Sequence, residues 1–233
     1  MTVQKALRVR GEAQSEETVV EYTINAIREQ IRDGRLAEGQ RLVVADVTRK
    51  LGVSNGPVRE AIRRLTGEGL VEIVPHKGAA VREFSARDVR EIFEVREVLE
   101  GLAARLAAER IGQGDARDRL RALQDESRAV LSGGKGYIDH NQSFHELIYA
   151  LAGNERVQEQ ARQLTLPLYR LRMHHLMDPA YARTSAAEHA LIVDAILEGD
   201  GAAAERAMRN HIRNSGVAML EALARKEGKP RGR

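Results

Sequence analysis

The sequence predicts a mainly α protein: an N-terminal winged helix-turn-helix with a small β-hairpin wing, followed by a C-terminal antiparallel α-helical bundle. Three observations carry that prediction. The run Val53 to Leu65, VSNGPVREAIRRL, has the form of the second half of a helix-turn-helix. From residue 85 onward apolar residues keep helical spacing and no strand signal appears. Hydrophobic residues make up 42% of 233 while aromatics are only 3% and tryptophan is absent. A core of Leu, Val, Ile and Ala with few rings suits packed helices better than a sandwich or barrel.

Residues 1–17 mix both charges and read as a flexible polar arm, because chain termini fray unless something ties them down. The winged helix is expected over 18–84. Val20, Ile24, Ile27 and Ile31 line one face of a helix that stops at Gly34, and GRLAEGQRL then makes a short extended link. Val44 to Leu51 is short enough to be the first limb of the helix-turn-helix. Gly52 ends it in a conformation that glycine adopts cheaply, and Ser54 can N-cap the next helix. Pro57 falls in the first turn, where a missing backbone N–H has no partner to lose. Val58, Ala61, Ile62 and Leu65 make the buried stripe, while Asn55, Arg59 and Arg63 recur on another face. An ordinary surface helix with solvated arginines has the same pattern; a recognition helix entering a major groove is the sharper reading. GLVEIVPHKGAAV supplies two β-rich runs around Pro75-His76-Lys77-Gly78, a hairpin with a basic tip.

Ser85 to Asp88 is the start of the second domain, expected over 85–225, with Asp88 near the positive end of the helix dipole. Its first helix carries Val89, Ile92, Phe93, Arg96, Leu99, Ala103 and Leu106 on one face and ends near Gly112. Further helices are predicted over 116–131, 139–151 and 157–176, the last kinked at Pro167. Asp178-Pro179 breaks the chain, and 185–198 and 201–225 complete the bundle. The segment 226–233, KEGKPRGR, reads as a disordered basic tail.

Composition excludes several classes. There is no cysteine, hence no disulfide, thiolate zinc site or cysteine nucleophile. No apolar run approaches 18 residues and the first residues lack a signal-peptide core, so a cytoplasmic protein with no membrane partner is expected. Net charge is only +3, but residues 35–82 hold nine Lys/Arg against five Asp/Glu. That local excess sits on the winged helix and suits a module that neutralises a few phosphates.

The runs EGQRL and KLGVSNGPVREAIRRLTGEGLVEIVPHKGAAV resemble the DNA-binding domain of the GntR family of bacterial transcription regulators, which has PVREAL-x-x-L-x-x-EGL before a P-x-x-G wing. The chain departs from the family where Asn55 and Gly56 stand in place of the usual Arg and Thr before the proline, which implies an unusual operator. VREVLEGLAARLAAER, NQSFHELIYALAGN and EHALIVDAILEGDGAAAERAMRNHI resemble the FCD effector-binding domain that accompanies the FadR subgroup of that family. Together the two resemblances span about residues 19–223.

His145, His189 and His211 fall on three predicted helices, each flanked at helical spacing by apolar residues, so each faces the bundle interior. A buried imidazole must be hydrogen-bonded or coordinated. Taken singly, each reads as a satisfied core histidine; three converging in one bundle can share a divalent metal. Asn141, one turn before His145, can add an oxygen. The resemblance implies the same set, since many FCD domains bind a divalent metal through an Asp or Asn and three His with positions left open for an effector carboxylate. Asn in place of Asp leaves the ligand set uncharged. Imidazole suits Zn, Ni, Fe or Mn, and sequence does not choose among them. Arg96 lies on the inward face of its helix and needs an anionic partner, either a neighbouring carboxylate such as Glu100 or an effector carboxylate. The resemblance favours the effector, with Arg172 a weaker candidate for the same task. His140, His174 and His175 fit the inward pattern less well and read as surface or rim residues.

The resulting expectation is a ligand-responsive transcription regulator, more often a repressor in this family, and not an enzyme. A homodimer places two modules on double-stranded operator DNA. Ser54, Asn55, Arg59 and Arg63 are assigned to the major groove, Arg35, Arg49 and Arg64 to phosphates, and the wing tip His76, Lys77 and Gly78 to the minor groove. A hydrolytic metalloenzyme is the competing class, but Glu146 and Glu188 fall off the histidine face and leave no obvious general base. An architectural DNA-binder with a purely structural bundle is the third.

Overall fold

The computed structural model describes residues 18–127, 135–165 and 178–227. The chain forms two units, Met1–Glu83 and Phe84–Arg233.

In the first unit Thr18 caps α1 (Val19–Arg32) in a capping box. Its hydroxyl accepts the Glu21 N–H at 3.2 Å, and the Glu21 carboxylate accepts the Thr18 N–H at 2.9 Å. Ile24, Ile27 and Ile31 are buried, as their spacing predicts. The short α2 (Val44–Leu51) ends at Gly52, whose φ of 67° is left-handed. The next helix, α3 (Asn55–Gly67), buries Val58, Ala61, Ile62 and Leu65. Ser54 occupies its N-cap position with extended backbone, but the hydroxyl makes no capping hydrogen bond, which differs from the cap its residue type predicts. The wing is β1 (Val71–Val74) paired antiparallel with β2 (Gly78–Val81). The link before α2 does more than connect. Gly39 N–H donates to Val81 and Leu42 N–H to Ala79, so this stretch covers the free edge of β2, with Arg41 bridging Ala80.

The second unit opens with another capping box, Ser85 with Asp88, on α4 (Ala86–Arg110). Then come α5 (Ala116–Ser127), α6 (Lys135–Ala152), α7 (Glu155–Thr165), α8 (Pro179–Glu198) and α9 (Gly201–Glu227). The central helix is α4, which packs on α6, α7, α8 and α9. It can take four neighbours because its buried positions include Gly101, Ala103, Ala104, Ala107 and Ala108, small enough to let other helices come close. The α9 side is equally close: a Cβ at Gly216 would lie 3.0 Å from the Phe93 ring. Two helix starts differ from the sequence expectation by four residues or more. The third bundle helix, α6, starts at Lys135, four residues before Asp139. In place of Ser185, α8 begins at Pro179, because the Asp178 carboxylate accepts the Ala180 N–H at 2.9 Å and Pro179 fits the first turn. The Asp-Pro pair is thus a helix start. The predicted end of α5 at Leu131, the reach of the next helix to Leu176 with its kink at Pro167, the arm 1–17 and the tail beyond 227 lie outside the described residues. Among the described residues no helix is long and apolar enough to cross a membrane.

Candidate DNA-binding face and candidate metal site

Helix α3 and the wing present the expected cationic side chains, and the structure sorts them. Ser54, Asn55, Arg59, Arg63 and Arg64 are exposed along α3, as are His76, Lys77 and Gly78 at the wing tip. Asn55 Oδ1 accepts from the Thr48 hydroxyl at 3.0 Å, tying the first turn of α3 to α2. Four of the predicted arginines are held by acids of the same unit. Arg35 meets Asp33 at 3.2 Å and Arg49 meets Asp46 at 3.1 Å. Arg63 and Arg64 share Glu60 at 2.6 and 2.9 Å. These two guanidiniums, Arg63 first, hold the Glu60 carboxyl down to about 2. Arg59 and Lys77 carry no ion pair among the described residues, and neither does Arg41. Sequence reasoning missed Arg41, since nothing local marks a link residue as a neighbour of the recognition helix. Its bridge to the wing places it on the rim of a groove of about 500 Å³ together with Arg59, Arg63 and Lys77. At the wing tip the Lys77 N–H donates to Val74 at 3.0 Å, closing a turn with Pro75 and His76 at its centre. His76 has φ 62°, a left-handed conformation uncommon for a non-glycine residue, though histidine takes it more readily than most.

In the second unit His145 of α6, His189 of α8 and His211 of α9 come together. They are 4%, 3% and 2% exposed, and one ring nitrogen from each lies within 4.8 Å of the other two. The His189 and His211 Nε2 atoms are 3.3 Å apart. Two imidazoles bound to one tetrahedral ion at about 2.0–2.1 Å put their nitrogens about 3.3 Å apart, so this pair fits a shared ion without movement. Phe144 stacks on His189 with centroids 3.8 Å apart and fixes its ring plane. Asn141 is buried one turn before His145 on α6.

The distal nitrogens meet carboxylates. His145 Nδ1 lies 2.7 Å from Glu100 Oε2, and His211 Nδ1 lies 2.8 Å from Glu188 Oε2. This corrects the expectation for Glu188, whose position is off the histidine face of α8 but whose length carries its carboxylate to α9. Glu146 does point away and pairs with Arg162. Glu188 meets His211 on the ring nitrogen opposite the one that faces His189. His140 also departs from expectation: it is only 8% exposed, and burial lowers its basicity against the opposing pull of Glu126.

Arg96 takes the first of its two expected partners. Its Nε and Nη2 reach Glu100 Oε1 at 2.8 and 2.7 Å, and its guanidinium lies over the Phe93 ring at 4.6 Å. Burial alone would raise the Glu100 carboxyl, but Arg96 and then His145 outweigh it and hold the group well below the usual carboxylate range. Among the described residues Arg96 Nη1 is buried and has no hydrogen-bond partner. Arg172, His174 and His175 lie outside the described residues.

A helix-turn-helix with a β-hairpin wing in one unit and a helical bundle in the other is the architecture of a DNA-binding transcription regulator. Residues 20–81 match the family model described as bacterial regulatory proteins, gntR family, and residues 91–214 match the FCD domain. The chain belongs to the gntR family of bacterial regulatory proteins, in the group whose second domain is FCD. It is 30% identical over 213 residues to the probable D-xylose utilization operon transcriptional repressor of Paenarthrobacter nicotinovorans, with 91% of each chain covered. It is 27% identical over 178 residues to the HTH-type transcriptional repressor RspR of Escherichia coli strain K12, covering 76% of this chain and 78% of that one. Two solved structures share the fold at 24% identity. E. coli McbR/YncC has a TM-score of 0.73 over 89% of this chain and 99% of its own. A transcriptional regulator GntR from Rhodococcus sp. RHA1 has 0.69 over 87% and 97%.

Proposed function

We propose that this chain is an effector-responsive repressor that binds double-stranded operator DNA as a homodimer and holds a divalent metal and a small carboxylate metabolite in its bundle. The observation that carries this reading is the convergence of three buried imidazoles from three helices, with Arg96 one carboxylate away. A bundle built only for stability has no reason to bury three rings and an arginine with an unused donor. His145, His189 and His211 hold the ion and Asn141 adds an oxygen. The ion supplies a Lewis-acidic centre with open positions for an anionic oxygen. Arg96 binds the same anion through Nη1, and the apolar surroundings strengthen that contact by excluding water. Zn, Ni, Fe and Mn all suit such a donor set.

At the DNA, Arg59 with Ser54, Asn55 and Arg63 reads the major groove, Arg35, Arg49, Arg64 and Arg41 hold phosphates, and His76, Lys77 and Gly78 reach the minor groove. Two-fold symmetry of the dimer asks for two half-sites. The effector releases the operator by binding one arrangement of the dimer better than the other, and only to the extent of that difference. Such a regulator works in the cytoplasm, beside the chromosome. Repression follows the two relatives named as repressors, and the sugar-operon relative makes sugar acids the first effectors to try.

The test is metal analysis of the purified protein, then thermal unfolding against sugar acids, hydroxy acids and dicarboxylates, with and without chelator. A ligand at about a hundred times its Kd adds about 2.7 kcal/mol and raises the melt by a few degrees. A shift that disappears on chelation and in His145→Ala is expected. Protein with no bound metal, and no shift from any acid, overturns the effector reading and leaves the bundle a dimerisation device.

A further inference from the structure

Two acids that donate nothing to the triad itself sit on the outer nitrogens of two of its members. Glu100, from the central helix α4, contacts His145 Nδ1 at 2.7 Å, and Glu188, from α8, contacts His211 Nδ1 at 2.8 Å. Each is fixed by a second donor on its other oxygen. Arg96 holds Glu100 Oε1 at 2.7 Å, and the Asn214 amide donates to Glu188 Oε1 at 2.6 Å. Each carboxylate therefore spans a histidine and an anchor, and it cannot follow the ring if the ring turns. A carboxylate on Nδ1 selects the tautomer with the proton there, which leaves the Nε2 lone pair facing the common point. The matter is acute in this chain because its ligand set of one amide and three neutral imidazoles carries no negative charge.

We propose that Glu100 and Glu188 are positioning residues for the metal site: they fix the tautomer and ring angle of His145 and His211 and supply the negative charge that the ligands lack. The inference rests on the metal reading above. A plainer role exists for Glu100, since it also neutralises a buried arginine, and removing it alone strands that charge. The test separates the two roles. Arg96→Met/Glu100→Met replaces the ion pair by apolar side chains of similar volume, a change that buried pairs tolerate. Glu188→Met removes an acid whose side chain is 20% exposed and leaves only the exposed Asn214 without its acceptor.

The measurement is Zn²⁺ affinity of the full chain by competition with a chromophoric chelator, with circular dichroism checking that each variant keeps its helices. Wild-type protein is expected to take one ion per chain. Both variants are expected to keep their fold and to lose about ten- to a hundredfold in Zn²⁺ affinity. Folded variants that bind Zn²⁺ as tightly as wild type overturn the positioning role and leave the metal site standing. Wild-type protein that takes up no Zn²⁺ overturns the metal reading, and this inference with it.

Discussion

At the scale of single residues, the DNA-binding face is a matter of which cations are already spoken for. Glu60 engages Arg63 and Arg64 at once, on the exposed side of α3. Its carboxyl is held at about 2, below the ordinary 4.5, so the contribution of this pairing is complete above 4.5 and is lost only as pH falls toward 2. Acidification within the range where DNA binding is measured does not free the two arginines; mutation does. Glu60→Gln removes a negative charge from the recognition helix and releases two cations. It is expected to tighten binding to random-sequence DNA severalfold and to narrow the gap between operator and non-operator affinity, as read by fluorescence anisotropy at fixed salt. Unchanged non-specific affinity would mean that Arg63 and Arg64 leave Glu60 for phosphate without loss. Arg59→Ala should act in the opposite direction, costing operator affinity about 1–3 kcal/mol if its fork contacts a base edge.

At the scale of elements, α4 and α9 depend on the absence of side chains where they meet. Gly216 has the Phe93 ring 3.0 Å from where its Cβ would be, and Phe93 is itself buried and cannot withdraw. Gly216→Leu is expected to destabilise the bundle by about 1–3 kcal/mol in urea unfolding, as overpacked cores do. Gly67, the last residue of α3, has nothing within 4 Å, and Gly67→Ala should leave stability unchanged or raise it by up to about 1 kcal/mol. These elements also mark what was legible in the sequence. The buried stripes of α1 and α3 and the left-handed Gly52 follow from periodicity and local residue chemistry. So does the convergence of His145, His189 and His211, since each has apolar neighbours at helical spacing. What was not legible depends on tertiary distance. Asp178-Pro179 reads equally as a break or a helix start until the Ala180 N–H is seen to be capped. Arg41 joins the recognition face only because its strand-like link docks on β2. Glu188 looks misplaced on its own helix and finds its partner 23 residues away on another.

At the scale of the whole molecule, the uncommitted charges bear on how many copies of the chain meet the operator. Among the described residues of one module Arg41, Arg59 and Lys77 carry no ion pair, while Arg35, Arg49, Arg63 and Arg64 each have an acid within 3.2 Å. Surface pairs of this kind are worth little, so some exchange onto phosphate, but the three unpaired cations need give up nothing and should engage first. Each phosphate neutralised releases about 0.9 counterion from duplex DNA, so a homodimer in which Arg41 and at least two of Arg35, Arg49 and Arg64 neutralise three phosphates per module should give a log–log salt slope of at least about −5 for operator binding. A single module bound alone should give about half that. The expected result is a slope near −5 or steeper, which Arg41→Ala makes shallower by about 2, because symmetry removes the same contact from both half-sites. Footprinting on the same fragment should show two protected regions about one helical turn apart, or a multiple of it. A slope near −2 to −3 that Arg41→Ala changes by only 1, with one protected region, would mean that a single module carries operator binding, and the two-fold reading of the regulator would fail.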